Sequence, residues 1–209
     1  MKPISKLQFI TTNAMHAEQA CRGGVDWIQL RLKNVSYNDH YAIAREVKAV
    51  CNKYNATFII NDNVHLAMDI LADGVHLGKE DMPPTAARQL LGDRYIIGST
   101  ANTLADLYLL SAQPIDYIGL GPYKFTNTKQ NLSPILGLEG YNDIFKKVKE
   151  NGFNLPPIIG IGGIAESDVA ELFSTGLHGV AVSGALSNSG NVTDAARRFM
   201  NSINYQLQQ

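Results

Sequence analysis

Residues Ile158–Ala185, IIGIGGIAESDVAELFSTGLHGVAVSGA, read as one βαβ unit. The apolar run Ile158–Ile161 ends in Gly162-Gly163. A stretch of helical character, Ser167–Ser174, follows. A second apolar run, Gly179–Val182, then ends in Ser183-Gly184-Ala185. Neither run alternates apolar with polar residues. Short continuous apolar runs fit parallel strands buried on both faces. Parallel neighbours need a crossover, and the helical stretch between these two supplies it.

The same pattern repeats back to the N-terminus. Further strand-like runs are Leu7–Thr11, Trp27–Arg31, Thr57–Ile60, Gly74–Leu77, Tyr95–Gly98 and Tyr117–Leu120. Helical stretches lie between them, at Tyr37–Tyr54, Val64–Leu71, Thr85–Leu91, Thr103–Leu110 and Tyr141–Asn151. Ser36, Thr103 and Ser167 stand where N-caps belong. A last helix, Asp194–Ile203, is expected to be capped by Thr193 or Asp194, with residues 204–209 frayed. Strands alternating with helices imply βαβ units. They can close into a barrel or stay open as a doubly wound sheet, and a count of eight strands favours an α/β fold of the single-domain (β/α)8 TIM-barrel type. No Pro-rich or Ser-rich linker divides residues 1–209. The longest irregular segment, Pro122–Glu139, falls after the sixth strand, at the carboxyl face where barrel active sites lie.

Composition narrows the function. Of 209 residues, 18 are Lys or Arg and 19 are Asp or Glu, giving a formal net charge of -1. That balance excludes a general electrostatic affinity for nucleic acid or an anionic membrane. With 45% hydrophobic residues, the chain is not disordered. No apolar run approaches a membrane span and no signal peptide is visible, so a cytoplasmic setting is expected. Cys21 and Cys51 lack metal-ligand or CxxC spacing and read as buried free thiols.

The strand ends carry the chemistry. After the second strand, alternation puts Gln29, Arg31 and Lys33 on one side. Arg and Lys two apart suit a phosphate-bearing ligand, though a solvated strand end has the same appearance. Asn61-Asp62 follows the third strand and Glu80-Asp81 the fourth. Two carboxylates at one face suit Mg²⁺, which takes one or two carboxylates plus phosphate oxygens. An Asx-turn at Asp62 and a helix-terminal charge at Asp81 compete with that reading. Ser99-Thr100 ends the fifth strand, and Thr126-Asn127-Thr128-Lys129 lies in the long loop. Gly162-Gly163 after the seventh strand and Ser183-Gly184 after the eighth form the phosphate site common in barrels, because glycine lets backbone N–H groups approach an anion. Gly78, Gly98, Gly121, Gly162, Gly163 and Gly184 are all expected at carboxyl ends of strands. His76, inside GVHLG, reads as a satisfied interior residue. No Ser/His/Asp nucleophile arrangement and no zinc spacing is visible. Chemistry without a general base points to group transfer assisted by metal and fixed charge.

These motifs together resemble the thiamine-phosphate synthase family. The likeness rests on QxRxK (Gln29, Arg31, Lys33), Asn61-Asp62, ADGVHLGxED (Ala72–Asp81), GLGPxxxTxTK (Gly119–Lys129) and GIGGI (Gly160–Ile164), and runs from Leu7 to Phe199. The resemblance implies a Mg²⁺-dependent transferase. It joins 4-amino-2-methyl-5-hydroxymethylpyrimidine diphosphate to a thiazole phosphate, releasing diphosphate and forming thiamine phosphate. It implies Asp62 and Asp81 as metal ligands, and Arg31, Lys33 and Lys129 as the catalytic cations on diphosphate. It places Gln29 and Asn61 around the pyrimidine and Thr126, Thr128, Gly163, Ser183 and Gly184 at the thiazole phosphate, and keeps Thr100 as a substrate-binding hydroxyl. Partners are then small phosphorylated substrates, with a homo-oligomer left open. The chain departs from the family at Thr100, where Ser is usual, at Gln130-Asn131 after Lys129, and at Gly184. Alternatives are a thiazole tautomerase, which lacks both carboxylates and has His where Pro122 stands, and a catalytically silent phosphate-binding homologue.

Overall fold

A computed structural model of the chain describes residues 3–125 and 134–208. Eight strands, β1 (Leu7–Thr11), β2 (Trp27–Leu30), β3 (Thr57–Asn61), β4 (Gly74–Leu77), β5 (Ile96–Ala101), β6 (Tyr117–Leu120), β7 (Ile158–Ile161) and β8 (Gly179–Val182), close in chain order into a barrel. Every pairing is parallel, including the closing pair, β1 with β8. The helices are α1 (Ala14–Arg22), α2 (Tyr37–Tyr54), α3 (Val64–Asp69), α4 (Pro84–Leu91), α5 (Leu104–Leu110), α6 (Gly137–Glu150), α7 (Val169–Ser174), α8 (Gly184–Ser187) and α9 (Val192–Gln206). The (β/α)8 barrel expected from the strand count is therefore the architecture found.

Period two along each strand sorts the core into two regions. Ile10, Trp27, Ile59, Ile96, Tyr117, Ile159 and Ala181 form one cluster inside the barrel. Their strand neighbours Phe9, Ile28, Phe58, Val75, Ile97, Ile118 and Val180 belong to the larger cluster, between barrel and helices. The Trp27 and Tyr117 rings meet edge to face with centroids 4.9 Å apart. Most strands thus bury apolar residues on both faces, which is why they read as continuous runs.

Several local expectations are corrected. Strand β5 continues through Ala101, so Gly98 lies inside the strand and not at its end. A Cβ at Gly98 would sit 2.1 Å from Tyr117 Cζ, so glycine there makes room for a ring that fills the barrel. Ser36 and Thr103 cap α2 and α5, Thr103 with Asp106 in a reciprocal capping box. Ser167 caps nothing: a 3₁₀ turn over Glu166–Asp168 precedes α7, and the Asp168 carboxylate accepts from Ala165 N. Asn191 caps α9, not Thr193 or Asp194. That helix runs on to Gln206 instead of fraying after Ile203, because its buried stripe of Val192, Ala195, Ala196, Phe199 and Ile203 packs it down. Helix α6 begins at Gly137, which shortens the irregular segment after β6.

An ionic cluster ties α1 to the end of α2. Glu18 accepts from Arg22 Nη2 at 3.1 Å, Lys53 Nζ at 2.8 Å and the Tyr54 hydroxyl at 3.2 Å. The Lys53 hydrogen bond, followed by that of Arg22, holds the Glu18 carboxyl at about 2. A folded-state value below the unfolded one, roughly 4.3, contributes stability at higher pH and loses it as pH falls through that window. The Tm difference between wild type and Glu18→Gln is therefore largest above about pH 5 and closes near pH 2. High salt shrinks it, since the cluster is solvent-exposed. Thermal melts followed by circular dichroism across that range check this. A pH-independent difference would show that the charges contribute nothing.

Candidate active site

A cavity of about 720 Å³ opens at the carboxyl ends of the strands. Gln29, Arg31 and Lys33 from the β2 end line it together with Asn61, Asp62, Asp81, Thr100, Gly163, Ser183 and Gly184. All of these are sequence-predicted site residues, and all stand at or near the carboxyl end of a strand. Thr126, Thr128 and Lys129 lie outside the described residues.

The acidic side is built on β3 and β4. Asp62 follows β3 with φ of 65°, in the left-handed region that few non-glycine residues enter. Its neighbour Asn63 caps α3 by accepting from Leu66 N, so Asp62 is spared that task. Lys33 Nζ donates to Asp62 Oδ2. Asp81 likewise does not cap α4, which starts behind Pro83 without a side-chain cap. One Asp81 oxygen accepts from Gly78 N at 2.7 Å, closing the turn after β4. The Asp62 and Asp81 carboxyls stand near enough to shift each other's titration, Asp62 downward and Asp81 upward. Burial and the neighbouring Asp62 push the Asp81 carboxyl up. Burial pushes Asp62 up as well, but the Lys33 ammonium and the neighbouring Asp81 outweigh it and hold Asp62 down. Two neighbouring carboxylates at a half-buried cavity wall fit a hard divalent cation that takes its remaining ligands from water and phosphate. Among the described residues, no group of three or more His, Cys, Asp and Glu side chains forms a metal site.

The opposite side is a braced turn. Gly162 and Gly163 have φ of 97° and 68°, conformations natural to glycine. The chain after β6 clamps them: Tyr123 N donates to Ile161 O at 2.9 Å and Lys124 N to Gly162 O at 2.8 Å. Lys124 Nζ pairs with Asp168 Oδ1 at 2.7 Å while Asp168 Oδ2 accepts from Ala165 N. The Tyr123 hydroxyl donates to Glu171. Lys124 is thus committed to Asp168 on the far side of the turn. Ser183, at the end of β8, is followed directly by α8, a helix that the sequence pattern does not signal.

Below the cavity lies a feature that motifs do not reveal. Gln8, Gln29, His76 and Tyr117 are buried polar groups inside the barrel, joined by hydrogen bonds. His76 is satisfied as expected, by Tyr117 and Thr100, and also lines the cavity. A glutamine within LQFIT is the available signal for Gln8.

A closed parallel barrel with a double-glycine turn after β7 and a small-residue turn after β8 has the arrangement in which barrel enzymes frequently bind phosphate. The sequence comparisons place it further. The family profile of thiamine monophosphate synthase matches residues 3–186. The chain is 49% identical over 186 residues to a thiamine-phosphate synthase of Flavobacterium johnsoniae, covering 89% of this chain and 87% of that one. It is 44% identical over 201 residues to one of Bacteroides fragilis, covering 93% and 98%. A solved thiamine phosphate pyrophosphorylase from Pyrococcus furiosus superposes with a TM-score of 0.84 at 28% identity, covering 97% of this chain and 96% of that one. The chain belongs to the thiamine monophosphate synthase family and is a transferase of thiamine biosynthesis.

Proposed function

We propose that the cavity binds hydroxymethylpyrimidine diphosphate over the β2–β4 ends and a thiazole phosphate over the β7–β8 ends, and couples them into thiamine phosphate. One observation carries the assignment. Cations and a carboxylate pair line one side of the cavity, and a braced double-glycine turn lines the other, three to four strands away round an eight-strand barrel. Two phosphate-binding regions at opposite walls suit a reaction between two phosphorylated molecules.

In this reading Arg31 and Lys33 hold the diphosphate, Arg31 with a planar fork and Lys33 as a point charge. Gln29 and Asn61 fix the pyrimidine ring. Gly163, Ser183 and Gly184 hold the thiazole phosphate, which orients the thiazole nitrogen toward the pyrimidine methylene carbon. The bond from that carbon to the diphosphate oxygen breaks, and diphosphate leaves with the electron pair. The thiazole nitrogen lone pair forms the new carbon–nitrogen bond. No proton transfer is needed in this step, so the task left to the site is charge stabilisation and positioning. Asp62 and Asp81 would hold Mg²⁺, which neutralises charge on the diphosphate. Thr126, Thr128 and Lys129 are assigned to the phosphates by family resemblance. The two buried free cysteines support a reducing, cytoplasmic setting.

Calorimetric titration of each substrate tests the division of the cavity. Pyrimidine diphosphate binding should tighten at least tenfold on adding Mg²⁺, while thiazole phosphate binding stays within twofold. Equal Mg²⁺ dependence of the two, or no binding of the pyrimidine, would overturn it.

A further inference from the structure

Acidic residues stand directly behind the double-glycine turn. Glu166, Asp168 and Glu171 follow Gly163 on the 3₁₀ turn and α7. Negative charge behind a phosphate site opposes binding, so these carboxylates are a liability unless each is answered. Each has a partner. Glu166 accepts from Arg198 Nε at 3.1 Å and from the Ser202 hydroxyl at 3.2 Å. Glu171 accepts from the Tyr123 hydroxyl. Asp168 Oδ1 pairs with Lys124 Nζ at 2.7 Å.

Asp168 is the carboxylate closest to the turn and the one least screened by water. It is 5% exposed, and its other oxygen accepts from Ala165 N at 2.9 Å. Two peptide units span at most about 7 Å, so this oxygen stands within about 10 Å of Gly163 N. At an effective dielectric of about 20, a unit charge at that range changes affinity for a phosphate about tenfold. Asp168 therefore does two opposed things: it braces the turn through Ala165 N and it repels an anion bound on the turn. Lys124 approaches from the other side. Its backbone N donates to Gly162 O at 2.8 Å, and its ammonium reaches past the turn to Asp168. Among the described residues it is the cation paired with Asp168.

We propose that Lys124 is a positioning residue that acts through Asp168: it cancels the charge of a carboxylate needed to brace the turn, so that the turn can hold thiazole phosphate. The inference rests on the reading of the Gly163 turn as the thiazole phosphate site. Charge balance and a mechanical strap between the β6 and β7 ends predict opposite signs for one substitution. Asp168→Asn keeps an oxygen acceptor for Ala165 N but removes the ion pair. A strap is weakened by that change, whereas a charge balance gains, because the repelling charge is gone and the Lys124 ammonium remains.

The test measures Kd for thiazole phosphate and for hydroxymethylpyrimidine diphosphate by calorimetry on the full chain with Mg²⁺. The proteins are wild type, Lys124→Met, Asp168→Asn and the double variant, with a thermal melt of each. Lys124→Met should weaken thiazole phosphate about tenfold, and high salt should shrink that loss. Asp168→Asn should tighten it at least threefold, and the double variant should return to within threefold of wild type. Pyrimidine diphosphate binding stays within twofold throughout. Weaker thiazole phosphate binding in Asp168→Asn, or a double variant no better than Lys124→Met, would overturn the proposal in favour of a strap and leave the site assignment standing. So would unchanged affinity in all three variants. Loss of both ligands together with a lowered Tm in Asp168→Asn would overturn it as a folding effect. Wild type that fails to bind thiazole phosphate would remove the site assignment and the proposal together.

Discussion

Replacing Asp81 with asparagine lowers Mg²⁺-dependent turnover by about 10²–10³-fold, the scale of losing one preorganised charge-stabilising group, and leaves the barrel folded. The fold survives because an asparagine carbonyl oxygen still accepts the Gly78 N–H that closes the turn. The substitution removes one of two neighbouring carboxylates. Asp62→Asn behaves the same way, since asparagine tolerates the left-handed backbone at that position. A pH signature accompanies the loss. A metal held there as proposed would compete with the proton on Asp81, whose carboxyl is pushed up by burial and by Asp62. The Mg²⁺ concentration for half-maximal rate should therefore rise as pH falls, beginning at a higher pH than an ordinary carboxylate would require. Steady-state rates against Mg²⁺ at several pH values measure this. Full activity in Asp81→Asn, or a half-saturation that ignores pH, would remove the metal assignment.

Gly163→Val acts on the other wall. Its φ of 68° is unfavourable for any L residue and worst for a β-branched one. The new Cβ would lie 2.7 Å from Phe125 O and 2.8 Å from Lys124 Cβ. Tyr123 and Lys124 are hydrogen-bonded to Ile161 and Gly162, so the neighbours cannot yield without breaking the clamp. Strain of about 1–2 kcal/mol, with loss of one charge-assisted hydrogen bond to phosphate worth ~1.5–3 kcal/mol, predicts a rise in KM for thiazole phosphate of about 10²-fold or more. Affinity for the pyrimidine diphosphate, held by residues at the β2–β4 ends, stays within twofold. A uniform loss for both substrates would mean that the turn supports the barrel and not one ligand.

The parts of this site legible in the sequence are those just past the end of a strand. A buried parallel strand is largely apolar, so the charged residues and glycines just after it stand out, as at Arg31, Asp62, Asp81 and Gly163. Local patterns alone leave open whether the two carboxylates cap helices, and the structure decides it. Asn63 and Pro83 start the adjacent helices, so Asp62 and Asp81 are not spent on capping. The features that were not legible depend on closure. Gln8 and Tyr117 lie far apart in sequence and touch only because β1 and β6 face each other across the barrel. Gly98 reads as the end of a strand because a glycine commonly interrupts one, whereas here it makes way for Tyr117. Helix α9 outruns its expected end because burial of Phe199 and Ile203 outweighs weak local propensity.

The most direct test of the central claim is incubation of the protein with both phosphorylated substrates and Mg²⁺, with thiamine phosphate and released diphosphate quantified together. One diphosphate per thiamine phosphate, with both products lost in Asp81→Asn, is the predicted result. Isomerised thiazole phosphate without thiamine phosphate would contradict the account.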